Sequence, residues 1–135
     1  MIRTLLLAAV VIATPVFTAP ASALARDMPE VQLNKLLAGR VAGKPTNCIP
    51  LNNTQSSTII DRTAVVYRVG GRLYVNVPRS GAESLDDNDI LVTRTIGSQL
   101  CSIDTVNLID RNSRFQRGFL ILGQFVPYDR PKAAK

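Results

Sequence analysis

The sequence predicts a mainly β domain of the α+β type, with an N-terminal helix, five to six mostly antiparallel strands in a small barrel or sandwich, and one disulfide. Three observations point there. A leucine stripe at helical spacing lies near residues 29–41, β-rich runs separated by turn residues follow it to residue 126, and Cys48 and Cys101 are the only cysteines.

Pro29 to Arg40 carries Leu33, Leu36, Leu37 and Val41 near one stripe, with Asp27 as the expected cap and Gly39 as the exit. Gly43 to Asn47 reads as a linker to Cys48. Ser57 to Asp61 is a short extended candidate. Ala64 to Val69 and Arg72 to Val77 are separated only by Gly70-Gly71, a two-residue hairpin signal that sets position 67 opposite 74 and 66 opposite 75. Ala64, Val66, Leu73, Val75 and Val77 then share the face expected to be core. Val65, Tyr67, Val69, Arg72, Tyr74 and Asn76 share an amphipathic face.

Pro78 to Asp89 is a long polar loop, and loops of that length in small domains are often functional. Ile90 to Ile96 and Asp104 to Asp110 alternate as strands, the second placing Val106 and Leu108 together. A turn at Arg111 to Arg114 leads into Phe115 to Val126, where Phe119, Ile121 and Phe125 are expected to complete the core. The divisions are therefore 1–25 as a leader, 26–47 as helix and linker, 48–128 as the β domain, and 129–135 as a basic flexible tail.

The leader reading rests on Arg3, the apolar run Leu5 to Ala13, the break at Thr14-Pro15 and the small-residue site Ala23-Leu24-Ala25. Cleavage after Ala25 makes Arg26 the first mature residue and gives export to the periplasm or beyond. The apolar run is too short to span a bilayer, so no transmembrane span is expected after cleavage. Removing the leader takes away one basic residue and no acidic one, leaving 15 basic residues against 10 acidic. An exported protein with this modest excess points away from nucleic acid and toward an anionic envelope component or a periplasmic protein. Export also makes a Cys48–Cys101 disulfide the expected state, and no C-x-x-C spacing suggests redox chemistry.

The segments Ala38-Gly39-Arg40-Val41-Ala42-Gly43, Cys48-Ile49-Pro50-Leu51, Val77-Pro78-Arg79-Ser80-Gly81-Ala82, Leu91-Val92-Thr93-Arg94-Thr95, Gln99-Leu100-Cys101-Ser102-Ile103-Asp104-Thr105-Val106 and Leu122-Gly123-Gln124-Phe125-Val126-Pro127-Tyr128 carry a resemblance. Taken together, they resemble a group of short exported bacterial proteins of the alphaproteobacterial type. The resemblance spans nearly all of the mature chain. It implies a Gram-negative envelope setting without lipidation, and it brings no catalytic residue, cofactor or substrate.

Chemistry is narrowed by the absence of histidine, which removes Ser/His and Cys/His nucleophile pairs and imidazole metal sites. The four lysines lie near the helix and in the tail, so none is placed to activate a serine on the sheet. Asp61, Asp104 and Asp110 fall near strand ends, where aspartate usually serves turns. Asp86-Asp87-Asn88-Asp89 lacks the glycine and distal glutamate of a calcium loop, so no metal or other cofactor is expected. Arg79, Ser80 and Gly81, with Arg94 approaching from the next strand, form a candidate anion site, because guanidinium groups and a glycine turn suit phosphate or carboxylate. Tyr67, Arg72 and Tyr74 form a candidate interaction face, with cover by the N-terminal helix as the competing use. The expected role is a non-enzymatic binding or structural module of the envelope. A carboxylate-based envelope hydrolase, or an inhibitor inserting the 78–89 loop, are the alternatives.

Overall fold

Pro29 opens the first helix, α1 (Pro29–Leu37), in the computed structural model, which describes residues 28–132. Proline suits this position because the first N–H groups of a helix have no intrahelical acceptor. The leader over 1–25, the expected cap Asp27 and the last three residues of the tail lie outside the described residues. After α1 come β1 (Val41–Ala42), β2 (Cys48–Pro50), β3 (Thr54–Ile60), β4 (Ala64–Val69), β5 (Arg72–Asn76), β6 (Asp89–Thr93), β7 (Gln99–Cys101), β8 (Thr105–Asp110), β9 (Gln116–Ile121) and β10 (Phe125–Asp129).

These ten strands among the described residues exceed the five to six expected. β1, β2 and β7 are too short to register as periodicity. The single strand expected over 115–126 is two, because the chain breaks at Leu122 to Gln124. There the side chain of buried Asn76 donates to the Gly123 carbonyl at 2.7 Å and accepts from the Gly123 N–H at 3.1 Å. The tail also begins later than expected, since Asp129 still pairs with Val41.

All pairings are antiparallel, in a five-stranded sheet ordered β1-β10-β5-β4-β3, a three-stranded sheet ordered β6-β8-β9, and the pair β2-β7. The described residues do not close into a barrel. Cys48 and Cys101 are direct partners across β2 and β7 and are joined by the expected disulfide. The hairpin register is as predicted, Tyr67 opposite Tyr74 and Val66 opposite Val75, with both turn glycines at positive φ.

Which faces are buried differs from expectation in two places. The first is the β4–β5 hairpin, where both faces are covered. Ala64, Val66, Leu73 and Val75 pack beneath Leu33, Leu36 and Leu37 of α1, while Val65, Tyr67 and Val69 turn into the main core with Leu100, Val106, Leu108, Leu120 and Phe125. The Tyr67 face is thus interior, covered by the second sheet and not by the helix. Val41, expected on the helical stripe, is exposed, and so is Val77, beyond the end of β5. The second place is β9, which buries Leu120 while Phe119 stays 52% exposed. Its core parity is the opposite of the one predicted, and Leu122, not Ile121, continues it.

The loop from Pro78 is held against the fold. Ser80 bridges Ile121, Leu85 is buried in the main core, and Ala82–Ser84 form one turn of 3-10 helix. Gly81 has φ +86, and a side chain there would collide with the Phe119 carbonyl, so this approach of loop to strand needs glycine.

Candidate functional site

Two sheet edges are left open next to each other. β3 ends the five-stranded sheet and pairs only with β4, and β6 ends the three-stranded sheet and pairs only with β8. Between them runs a cleft made of two adjoining depressions. The larger, about 530 Å³, lies between Ser57, Thr58 and Ile59 of β3 and the segment Asp89, Ile90 and Leu91 of β6, with Asp87 and Arg111 at its end. The smaller, about 210 Å³, continues along Thr54 to Ser57 and Leu91 to Thr93, and reaches inward to Leu51, Tyr67 and Leu100. Ser57 and Leu91 belong to both. The early part of β3 thus faces the late part of β6, so the two edges run antiparallel across the gap.

The sequence explains why β3 can serve as an open edge. Its exposed stretch Gln55-Ser56-Ser57-Thr58 is β-compatible but polar, and the pairing with β4 is interrupted by a bulge between Thr54 and Ser56. Such features discourage indiscriminate edge-to-edge association while leaving main-chain donors and acceptors accessible.

Two buried polar groups line this cleft without a hydrogen bond. Tyr67 is 4% exposed, its ring packs edge-on against Phe125 at 5.8 Å between centroids, and its hydroxyl has no partner. Burial pushes that hydroxyl well above its ordinary titration range. Asp89 is buried as well, and neither carboxylate oxygen is hydrogen-bonded. Its nearest support is Arg117, whose Nε lies 3.5 Å from Oδ1 while Nη1 lies 3.5 Å from Asp86. Burial raises the Asp89 carboxyl above the usual carboxylate range, Arg117 opposes that rise, and the nearby negative charges of Asp86 and Asp110 add to it. Asn76, the other buried polar residue of the core, is satisfied on both sides of its amide.

At the Asp89 end stands an acidic group drawn from two separate stretches of the sequence. Asp61, Asp86 and Asp87 bring carboxylate oxygens within 4.8 Å of one another, because the turn after β3 meets the loop before β6. Asp61 accepts the Asp87 N–H at 2.7 Å and Asp86 accepts the Asn88 N–H at 2.9 Å. Asp104 and Asp110 do not join them. Asp104 accepts the Cys101 N–H, and Asp110 accepts the N–H groups of Asn112 and Ser113, which lowers its own carboxyl.

The residues singled out from the sequence are distributed differently. Arg79 donates from Nε to the Leu122 carbonyl at 2.9 Å and from Nη2 to the Ser102 carbonyl at 2.8 Å, so its guanidinium clasps main chain. Ser80 and Gly81 seat the loop on β9. Arg94 lies on a separate depression with Ile96 and Asp104, and the structure does not bring it to Arg79. Arg72 and Tyr74 remain at a shallow rim, where Arg72 pairs with Asp129 and donates to the Tyr74 hydroxyl. Tyr67 leaves that group for the interior.

The one signal for the cleft in the sequence was the polar, strand-forming run Thr54 to Thr58. Its pairing with β6 across a gap is a long-range property that no local pattern encodes. No protein-family model, curated protein or solved structure matches the chain.

Proposed function

We propose that this protein is an exported, non-enzymatic binding module of the bacterial envelope, and that the β3/β6 cleft is its binding site. One observation carries the assignment of the site. Among the described residues, every buried side-chain polar atom without a hydrogen bond belongs to Tyr67 or Asp89, and both residues line this cleft. Leaving a buried donor or acceptor unmade costs about 1 to 3 kcal/mol, so the gathering of these groups beside one cleft singles it out from the rest of the surface. Export is supported by the leader-like sequence pattern of residues 1–25 and by the disulfide, a bond that persists in oxidising compartments. No helix among the described residues is long and apolar enough to cross a membrane.

Amide chemical-shift mapping with an extended peptide, an envelope disaccharide and anionic vesicles tests the site. Shifts centred on β3 and β6 are expected. Shifts confined to the Arg72/Tyr74 rim, or to β9 around Phe119, would reject the cleft. Tyr67→Phe provides a second check, because deleting an unpartnered buried hydroxyl should raise stability by about 1 kcal/mol. A loss of stability would show that the hydroxyl already has a partner. Intact mass of the protein from the periplasmic fraction checks export, the expected species starting at Arg26.

A further inference from the structure

We infer that the cleft takes an extended polypeptide strand, held through its main chain and carrying a basic side chain at the Asp87 end. The inference rests on the binding reading above and names the ligand class. Its first support is the pair of facing edges. Strands of an antiparallel sheet bond on both sides, yet β3 and β6 each bond on one side only, so each presents a row of unused N–H and C=O groups toward the gap. A polypeptide is the ligand whose repeating donors and acceptors match such a row, and its affinity then comes from main-chain bonds and its selectivity from alternate side chains.

The floor of the cleft says which side chains fit. Alternate residues of a strand point to opposite sides, so every second side chain of the occupant enters the gap between the sheets. There it meets Leu51 and Leu91, which are partly exposed, while Leu100 and Tyr67 lie buried behind them. The inward residues are therefore apolar or small, and the outward residues are unrestricted. Because β3 and β6 run antiparallel across the cleft, the occupant is antiparallel to one edge and parallel to the other. At 3.4 Å per residue, the edge from Thr54 to Ile59 accommodates about six residues of partner.

Charge fixes the end. The chain carries a net charge of +6, yet Asp61, Asp86 and Asp87 are gathered at one mouth of the cleft. Arg117 is engaged with Asp86 and Asp89, and among the described residues no ion pair reaches Asp61 or Asp87. Arg111 on the same wall leaves that mouth acidic by count. A lysine or arginine on the occupant complements it, and an acidic residue there meets like charge. A sugar is the weaker match, since among the described residues the one aromatic lining the cleft is Tyr67, whose ring is buried against Phe125 and offers no stacking platform.

The test uses blocked hexapeptides of alternating valine and threonine carrying lysine at the first or the last position, the same peptides with glutamate in place of lysine, and a copy N-methylated at alternate main-chain nitrogens. Binding is followed by amide shifts of β3 and β6 in the full oxidised protein. One lysine peptide should bind at least tenfold tighter than its glutamate counterpart, Asp87→Asn should narrow that difference to about threefold or less, and N-methylation should abolish binding. Equal binding of the N-methylated peptide would overturn main-chain recognition. Equal binding of the lysine and glutamate peptides would overturn the charge assignment. If the envelope disaccharide shifts the cleft amides and the peptides do not, the polypeptide proposal fails while the binding reading stands. If no probe shifts them, both fall.

Discussion

The two flanks of this core are built from the same kinds of residue and finished in opposite ways. On one flank, β10 is covered by β1 and β5, Asn76 is bonded through both ends of its amide to Gly123, Arg79 clasps two carbonyls, and a disulfide joins β2 to β7. On the other, β3 and β6 stand unjoined, and Tyr67 and Asp89 are buried without hydrogen bonds. The first flank shows that this sequence can satisfy a buried polar group completely. The incomplete flank is therefore a property of that place in the molecule, and it is where binding is proposed.

Breaking the finished flank should cost the most. Replacing both cysteines, Cys48→Ser with Cys101→Ser, removes a cross-link between residues separated by 53 positions and should destabilise the protein by about 4 kcal/mol on the chain-entropy account. The urea midpoint of the double variant against the oxidised parent measures it. A change below about 1 kcal/mol would mean that the β2–β7 pair holds without its bond. Asn76→Ala comes next. It leaves the Gly123 N–H and C=O buried without partners and opens a small cavity, for a loss of about 2 to 4 kcal/mol by the same measurement. An unchanged midpoint would erase the contrast between the flanks.

The smallest effect belongs to the open flank and has a definite sign in pH. The Asp89 carboxyl is raised in the fold, chiefly by burial, so the native state holds this proton more tightly than the unfolded chain. That contribution is fully present below the unfolded carboxylate value, near 3.8, and is lost as pH rises through the folded value. Asp110, lowered by the Ser113 bonds, acts oppositely: its contribution is present above 3.8 and lost as pH falls through its folded value. Urea midpoints on the acid side of neutrality should therefore decline with rising pH less steeply in Asp89→Asn than in the parent. Parallel pH profiles would show that Arg117 already compensates the buried charge.

Local pattern made part of this legible. Gly70-Gly71 fixed the hairpin register, the alternation at Val106 and Leu108 marked an inward face, and two cysteines in a chain expected to be exported implied their bond. Where alternation was missing, so was the correct face. Phe119 to Phe125 is nearly continuous in apolar residues, so parity there was set by what packs beside it, and Phe119 turned outward. Tyr67 lies in the run Val65-Val66-Tyr67, apolar on both sides of the pleat, and became interior because helix and second sheet each cover one face. The acidic mouth joins residues 61 and 86–87 through the meeting of two loops, which spacing along the chain does not report.

The position of the disulfide in chain order has a consequence for survival of a proteolytic cut. Cys48 and Cys101 close a covalent ring, and both lips of the cleft, Thr54–Ile60 and Asp89–Thr93, lie within it. Cutting one peptide bond in the 78–89 loop would linearise that ring without releasing either lip, since the two pieces remain tied through sulfur. A nicked molecule that keeps its packing thus keeps both edges of its site, whereas the same cut after reduction separates them into two fragments.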